Sequence, residues 1–107
     1  MAITNEYIDA TITTVYTSTD TTAITSMIFC NYASATLTDA DTYLDLHIVP
    51  SGDTYNEKNK ILHQLKIPAG ETFIMDSERL VLDNGDTIQA QTTSPATVSV
   101  TVSSIPV

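Results

Sequence analysis

Near the C-terminus, Thr97-Val98-Ser99-Val100-Thr101-Val102-Ser103 alternates almost strictly between apolar and small polar residues. Side chains two apart share one face of a strand, so Val98, Val100 and Val102 point inward and the hydroxyls outward. An amphipathic helix needs its apolar residues at a spacing of about 3.6, which this run lacks. The two-residue period recurs in residues 10–17 and 24–32. It recurs again where Leu44, Leu46 and Ile48 alternate with Asp45, His47 and Val49. Nineteen threonines point the same way, because a β-branched side chain loses rotamer freedom in a helix and fits a half-exposed pleated surface.

Turn chemistry separates these runs. Ser18-Thr19-Asp20-Thr21-Thr22 is a polar connection of hairpin length, and Asp39-Ala40-Asp41 reads as a loop. Pro50-Ser51-Gly52-Asp53 closes the third run. Ile67-Pro68-Ala69-Gly70 reads as a turn with Pro at its second position and Gly at its fourth. Between Leu80-Val81-Leu82 and Thr87-Ile88-Gln89-Ala90 stands Asn84-Gly85, a strong hairpin signal. Residues 59–67 fit two patterns. Ile61, Leu62 and Leu65 make a helical stripe, while Ile61, His63, Leu65 and Ile67 make a strand, which the following turn favours. With Thr72-Phe73-Ile74-Met75 added, seven to eight strands spaced by about 8–12 residues predict an all-β fold. The expectation is a single antiparallel β-sandwich, Ig-like or jelly-roll-like, over residues 1–107, with residues 1–9 as an N-terminal arm.

At 107 residues the chain is one domain. Four Lys plus Arg against thirteen Asp plus Glu leave a net charge of -9, a sign that repels phosphate backbones and anionic lipids. Neither nucleic acid nor membrane is an expected partner. No apolar run approaches the roughly 18–20 residues of a membrane span, and Met1-Ala2-Ile3-Thr4-Asn5-Glu6 has no signal-peptide character. Cys30 has no second cysteine to pair with, which suits synthesis in a reducing cytosol.

Gly52, Gly70 and Gly85 are the only glycines, too scattered for a phosphate loop or a nucleophile elbow. Cys30 could pair with His47 or His63, but its apolar strand favours buried packing. Neither histidine has zinc-ligand spacing to another ligand, so each reads as solvated or at an interface. Asp39, Asp41 and Asp45 form one carboxylate group and Asp83 with Asp86 another. Oxygen ligands on loops suit calcium, but neither run completes a calcium loop, and Asp is common in turns for local hydrogen-bonding reasons. The expectation is a non-enzymatic protein with no cofactor and no metal site, Asp83 and Asp86 being the candidates if a cation were held.

Charge is uneven along the chain. Residues 1–57 carry eight acids and no base, while Lys58, Lys60, Lys66 and Arg79 all lie between 58 and 79. That basic stretch either meets an acidic neighbour, such as another copy's N-terminal half, or forms ordinary solvated faces. Interface candidates are Tyr7, Tyr16, Tyr43 and Tyr55, with Tyr32, since Tyr is enriched at interfaces, together with Lys58 and Lys60. An edge strand or the Thr-rich face of residues 10–17 is the expected contact between copies.

Four segments carry a family resemblance: Ile48-Val49-Pro50-Ser51-Gly52, Asn59-Lys60-Ile61-Leu62, Ile67-Pro68-Ala69-Gly70-Glu71-Thr72, and Leu80-Val81-Leu82-Asp83-Asn84-Gly85-Asp86-Thr87-Ile88-Gln89-Ala90. Over about residues 43–102 the chain resembles small virion structural proteins of tailed bacteriophages. The resemblance implies a capsid decoration (cement) protein or a neck or tail component, made in the host cytoplasm and located in the virion. Its implied partners are the major capsid protein, other virion proteins and copies of itself, with a trimer favoured. A different reading is a module that binds a host-surface glycan or receptor. It would use loops 38–42, 51–59 and 83–86 at one end of the sandwich, with Tyr43 and Tyr55 stacking on a sugar.

Overall fold

The computed structural model describes residues 2–36, 40–76, 80–93 and 97–107. Asp39 of the first carboxylate group and Arg79 of the basic stretch lie outside the described residues, as does Thr38. In chain order the strands are β1 (Ala2–Ile8), β2 (Thr13–Thr17), β3 (Thr22–Asn31), β4 (Thr42–Val49), β5 (Lys60–Ile67), β6 (Thr72–Met75), β7 (Leu80–Leu82), β8 (Thr87–Thr92) and β9 (Val98–Pro106). One 3-10 turn, Glu57–Asn59, precedes β5. The fold is all-β, and every strand pair is antiparallel. Sheet A runs β1-β9-β3-β6, with β7 also pairing β3; sheet B runs β2-β8-β4-β5.

The inner faces of the two sheets share one core. Val98, Val100 and Val102 are buried as their alternation predicts, against Phe29, Met27, Leu44, Leu46 and Ile88. Each large apolar side chain buried in this way stabilises the fold by about 1.5–3 kcal/mol. Bulges keep the inward set in register. β3 shifts register between Ile24 and Ser26, so Thr22 and Ile24 face inward before the shift and Met27, Phe29 and Asn31 after it. A strand without the extra residue would turn one of these two sets to solvent.

Residues 59–67 owe their double pattern to the same device. Leu44 pairs with Leu65 and Leu46 with Leu62, so β5 spends one residue more than β4 over this interval. Gln64 supplies it at φ 52°, and its N–H donates to Asp45 Oδ1 at 2.7 Å. The bulge turns both Leu62 and Leu65 toward the core, which mimics a helical spacing within a strand.

The structure corrects four expectations. Among the described residues nine strands replace seven to eight, because residues 2–8 of the expected arm 1–9 pair with β9 over seven residues. Only Ile8 of this strand is buried, so β1 lacks the apolar period by which the other strands are recognised. Asn84-Gly85 does not close a hairpin, since β7 lies in sheet A and β8 in sheet B. The residues 18–22 likewise lead from sheet B to sheet A rather than joining paired strands. The turn at Pro68 begins one residue late, with Glu71 N–H donating to the Pro68 carbonyl. Gly70 is therefore its third residue, at φ 77°, and a Cβ there would stand 2.7 Å from that of Ala35.

Where the chain changes sheets, its backbone groups leave the ladder and need other partners. Asn31 is fully buried and supplies them at one end. Its Nδ2 donates to the carbonyls of Ala40 and Ile67, both at 2.9 Å, and its Oδ1 accepts from Ala33 N and Thr97 Oγ1. Its backbone also bonds Glu71 and Gly70. Replacing Asn31 with Ala strands buried carbonyls and is expected to cost about 2–4 kcal/mol in chemical denaturation. Asn31→Asp, which turns an oxygen toward two carbonyls, is expected to cost at least as much. Stability unchanged in both variants would refute this role.

Candidate functional site

The two outer faces differ in charge. Sheet B exposes the ionic residues of β4 and β5. Asp45 lies 3.9 Å from Lys60 Nζ and 3.6 Å from His63 Nδ1, and Lys66 Nζ lies 3.5 Å from Asp41. Two lysines of the basic stretch therefore find acidic neighbours in the same chain, that of Lys60 on the adjacent strand β4 and that of Lys66 just before it. The Lys66–Asp41 pair is open to solvent and contributes about 0–1 kcal/mol, whereas Asp45 and Lys60 are partly buried but stand 3.9 Å apart. Asp45 and Asp41 also accept backbone N–H groups, from Gln64 and Ala69 respectively.

Sheet A presents a different surface. Its outward positions follow from the register: Ile3, Asn5 and Tyr7 on β1 stand beside Ser103, Thr101 and Ser99 on β9. Beyond them come Ser26, Ile28 and Cys30 on β3, then Thr72 and Ile74 on β6, with Ile28 directly opposite Ile74. Val81 and Ile105 flank Ala23 toward one end. Among the described residues no outward side chain of these strands is charged. Ile74 is 55% and Val81 61% exposed, so the face is apolar as well as neutral. Near the β1 edge Tyr7 and Tyr32 meet edge to face, 5.9 Å between centroids. They border a groove of about 650 Å³ lined also by Asn5, Glu6, Ser99, Val100 and Thr101, so one carboxylate stands at this edge of the otherwise neutral face.

Apart from Tyr7 and Tyr32, the tyrosines and lysines singled out in the sequence do not converge. Tyr7 lies on sheet A, whereas Tyr16 packs partly buried against the core from β2. Tyr43 and Lys60 belong to sheet B, and Lys58 to the 3-10 turn. Tyr55 packs edge-on against His47, 5.6 Å between centroids. The loops proposed to form one end also separate. Residues 51–59 and 83–86 are joined by Ser51 N–H donating to Asp86 Oδ1, while Ala40 to Thr42 enter the opposite end of β4. Eight strand residues, about 26 Å, stand between them. Tyr43 and Tyr55 accordingly sit toward opposite ends of that strand.

Two single residues are placed differently from expectation, His47 and Cys30, and Asp86 takes the turn role that its residue type suggests. His47 is buried, 3% exposed, because the 3-10 turn folds back over the outer side of β4. Its Nδ1 donates toward two carbonyl oxygens, Asn56 O at 3.1 Å and Asn59 Oδ1 at 2.9 Å. Cys30 is half-buried on the outer face of sheet A rather than in the core, since the bulge in β3 turns Phe29 and Asn31 inward in its place. Asp86 spends both carboxylate oxygens on backbone donors, Ser51 N–H at 2.8 Å and Asp83 N–H at 2.9 Å. Sequence reasoning missed Ile28, Ile74, Val81 and Ile105 as surface residues. Their apolar character signals burial, and only the sheet order reveals which alternate set faces outward.

Against protein-family models, curated proteins and solved structures alike, the chain finds no match.

The geometry at Asp86 makes a prediction about metal. With its oxygens committed to the turn, millimolar calcium or a chelator is expected to leave the melting temperature unchanged. Asp86→Ala is expected to destabilise by about 1–3 kcal/mol through the two lost charge-assisted bonds. A calcium-dependent rise of several degrees would instead identify a cation site at this turn.

Proposed function

We propose that the chain is a non-enzymatic structural protein of a tailed-bacteriophage virion, a capsid decoration protein that docks through the outer face of sheet A and stabilises the lattice. The observation that carries this reading is the neutral, apolar face itself on a chain of net charge -9. A surface of Ile, Val, Tyr and hydroxyl groups can be covered by a partner without stranding a charge, and burying it supplies the association energy. The charged face of sheet B would impose a desolvation cost at the same contact.

The strand order supports the reading. The sheet orders β1-β9-β3-β6 and β2-β8-β4-β5 support reading the fold as an eight-position jelly-roll β-sandwich in which β6 and β7 share one position. Jelly rolls occur in viral capsid and lectin domains, and this support is an analogy of fold. A lectin-like site on the end loops is less well supported, because the loops and tyrosines invoked for it lie at opposite ends.

The test uses purified heads of the phage in which the chain occurs, prepared without it. Added protein is expected to co-sediment with the heads and raise their heat tolerance, as any ligand specific to the assembled state does. Ile74→Lys with Val81→Lys, both more than half exposed and on separate edge strands, is expected to abolish binding while leaving the free protein's melting curve in place. Binding to isolated tails instead of heads would move the assignment to a neck or tail position. Adsorption of the free protein to host cells, with no binding to particles, would overturn the proposal in favour of host recognition.

A further inference from the structure

Two sheets offer four edges, and three of them are guarded against pairing with another strand. β2 shifts register between Thr14 and Tyr16. β5 carries two register shifts, the positive-φ Gln64, and Lys60 and Lys66. The far edge of sheet A is divided between two short strands, β6 of four residues and β7 of three. Bulges, lysines and short strands are the devices that keep sheet edges from associating.

β1 has none of them. It pairs with β9 over seven residues without a shift, contains no Pro, Lys or Arg, and carries one charge, Glu6. Its outer side presents an unbroken row of backbone donors and acceptors, whose natural complement is another extended chain. We propose that β1 pairs antiparallel with β1 of a second copy about a two-fold axis through Asn5, joining two five-stranded sheets into one.

The sequence of β1 is self-complementary in this register. Asn5 meets Asn5, and Ile3 of each copy stands opposite Tyr7 of the other. Ile3 and Tyr7 are 65% and 74% exposed in the single chain, and aromatic with β-branched residues is a favourable cross-strand pair. Glu6 falls opposite Thr4, a neutral neighbour. Moving the axis to Glu6 sets two carboxylates face to face, which is unfavourable, and moving it to Thr4 removes both Ile–Tyr pairs. An axis perpendicular to the sheet keeps the two neutral faces on the same side. The dimer thus doubles the surface available for docking, in place of the trimer expected from the sequence.

The proposal is independent of capsid binding: a chain that dimerises yet ignores particles overturns only the earlier one. The experiment is light scattering after size exclusion over a concentration series reaching millimolar. The mass is expected to rise from 11.6 kDa toward twice that value. Tyr7→Glu alone is expected to hold the mass at the monomer with an unchanged circular dichroism spectrum, as the side chain is exposed. Ile3→Lys combined with Tyr7→Glu places opposite charges across the Asn5 register and is expected to restore the dimer. Ile74→Lys, on the same face but away from β1, is expected to leave the dimer intact. A monomer at every concentration, a trimer, or a dimer lost with Ile74→Lys and kept with Tyr7→Glu would each overturn the proposal.

Discussion

Changing sheets at nearly every connection leaves backbone groups at the corners without a ladder, and the two ends of β3 answer this with buried polar clasps. At one end Asn31 bonds Ala33, Ala40, Ile67, Gly70, Glu71 and Thr97. At the other, Ser18 is 1% exposed; its backbone bonds Asp86 and Gly85, and its hydroxyl reaches Asp20, Thr22 and Leu82. Hydrophobic burial between the sheets is non-directional and tolerates sliding. The clasps do not, because an unmade buried hydrogen bond costs about 1–3 kcal/mol. They fix where each strand leaves its sheet, and so which residues face outward.

Bulges complete that specification. The shift in β3 lets a strand of ten residues serve both clasps and still bury Ile24, Met27 and Phe29. The shift in β5 is held by the Asp45 carboxylate on Gln64 N–H, which ties the charged face of sheet B to the packing beneath it. Asp45 is thus a backbone partner first and an ion-pair member second, its 2.7 Å bond from Gln64 N–H being far shorter than its 3.9 Å and 3.6 Å contacts with Lys60 and His63.

The strands with a buried alternate face were legible in the sequence: β4, β8 and β9 follow from period alone, and the apolar core of Val98, Val100, Val102, Leu44 and Leu46 with them. What period cannot convey is which strands become neighbours. Asn84-Gly85 supplies positive φ, at 90°, but positive φ serves a turn between sheets as well as a hairpin. The choice was made by Ser18 and Ser51, which bond this turn from distant segments. β1 escaped notice because its more apolar residues, Ile3 and Tyr7, face solvent while Thr4 and Glu6 lie on the inner side. Asn31 has no signal in the sequence, because nothing local distinguishes a solvated Asn from one with every side-chain hydrogen-bonding group engaged. The candidate tyrosines were chosen by residue type, whereas the neutral face of sheet A is a property of strand order.

The strong acidity of the chain has a related origin. Asp9, Asp53 and Asp86 accept backbone N–H groups at connections, and Asp41 and Asp45 do so beside β5. A fold with many corners gains from such acceptors, and the charge they bring collects at the ends and along sheet B. Copies of a chain with net charge -9 repel one another wherever those carboxylates approach within a Debye length, about 8–10 Å. Sheet A is set apart because the outward residues of its strands are uncharged and close no corner. The chemistry that closes the corners therefore also restricts dense association to the neutral face and to the unguarded edge beside it.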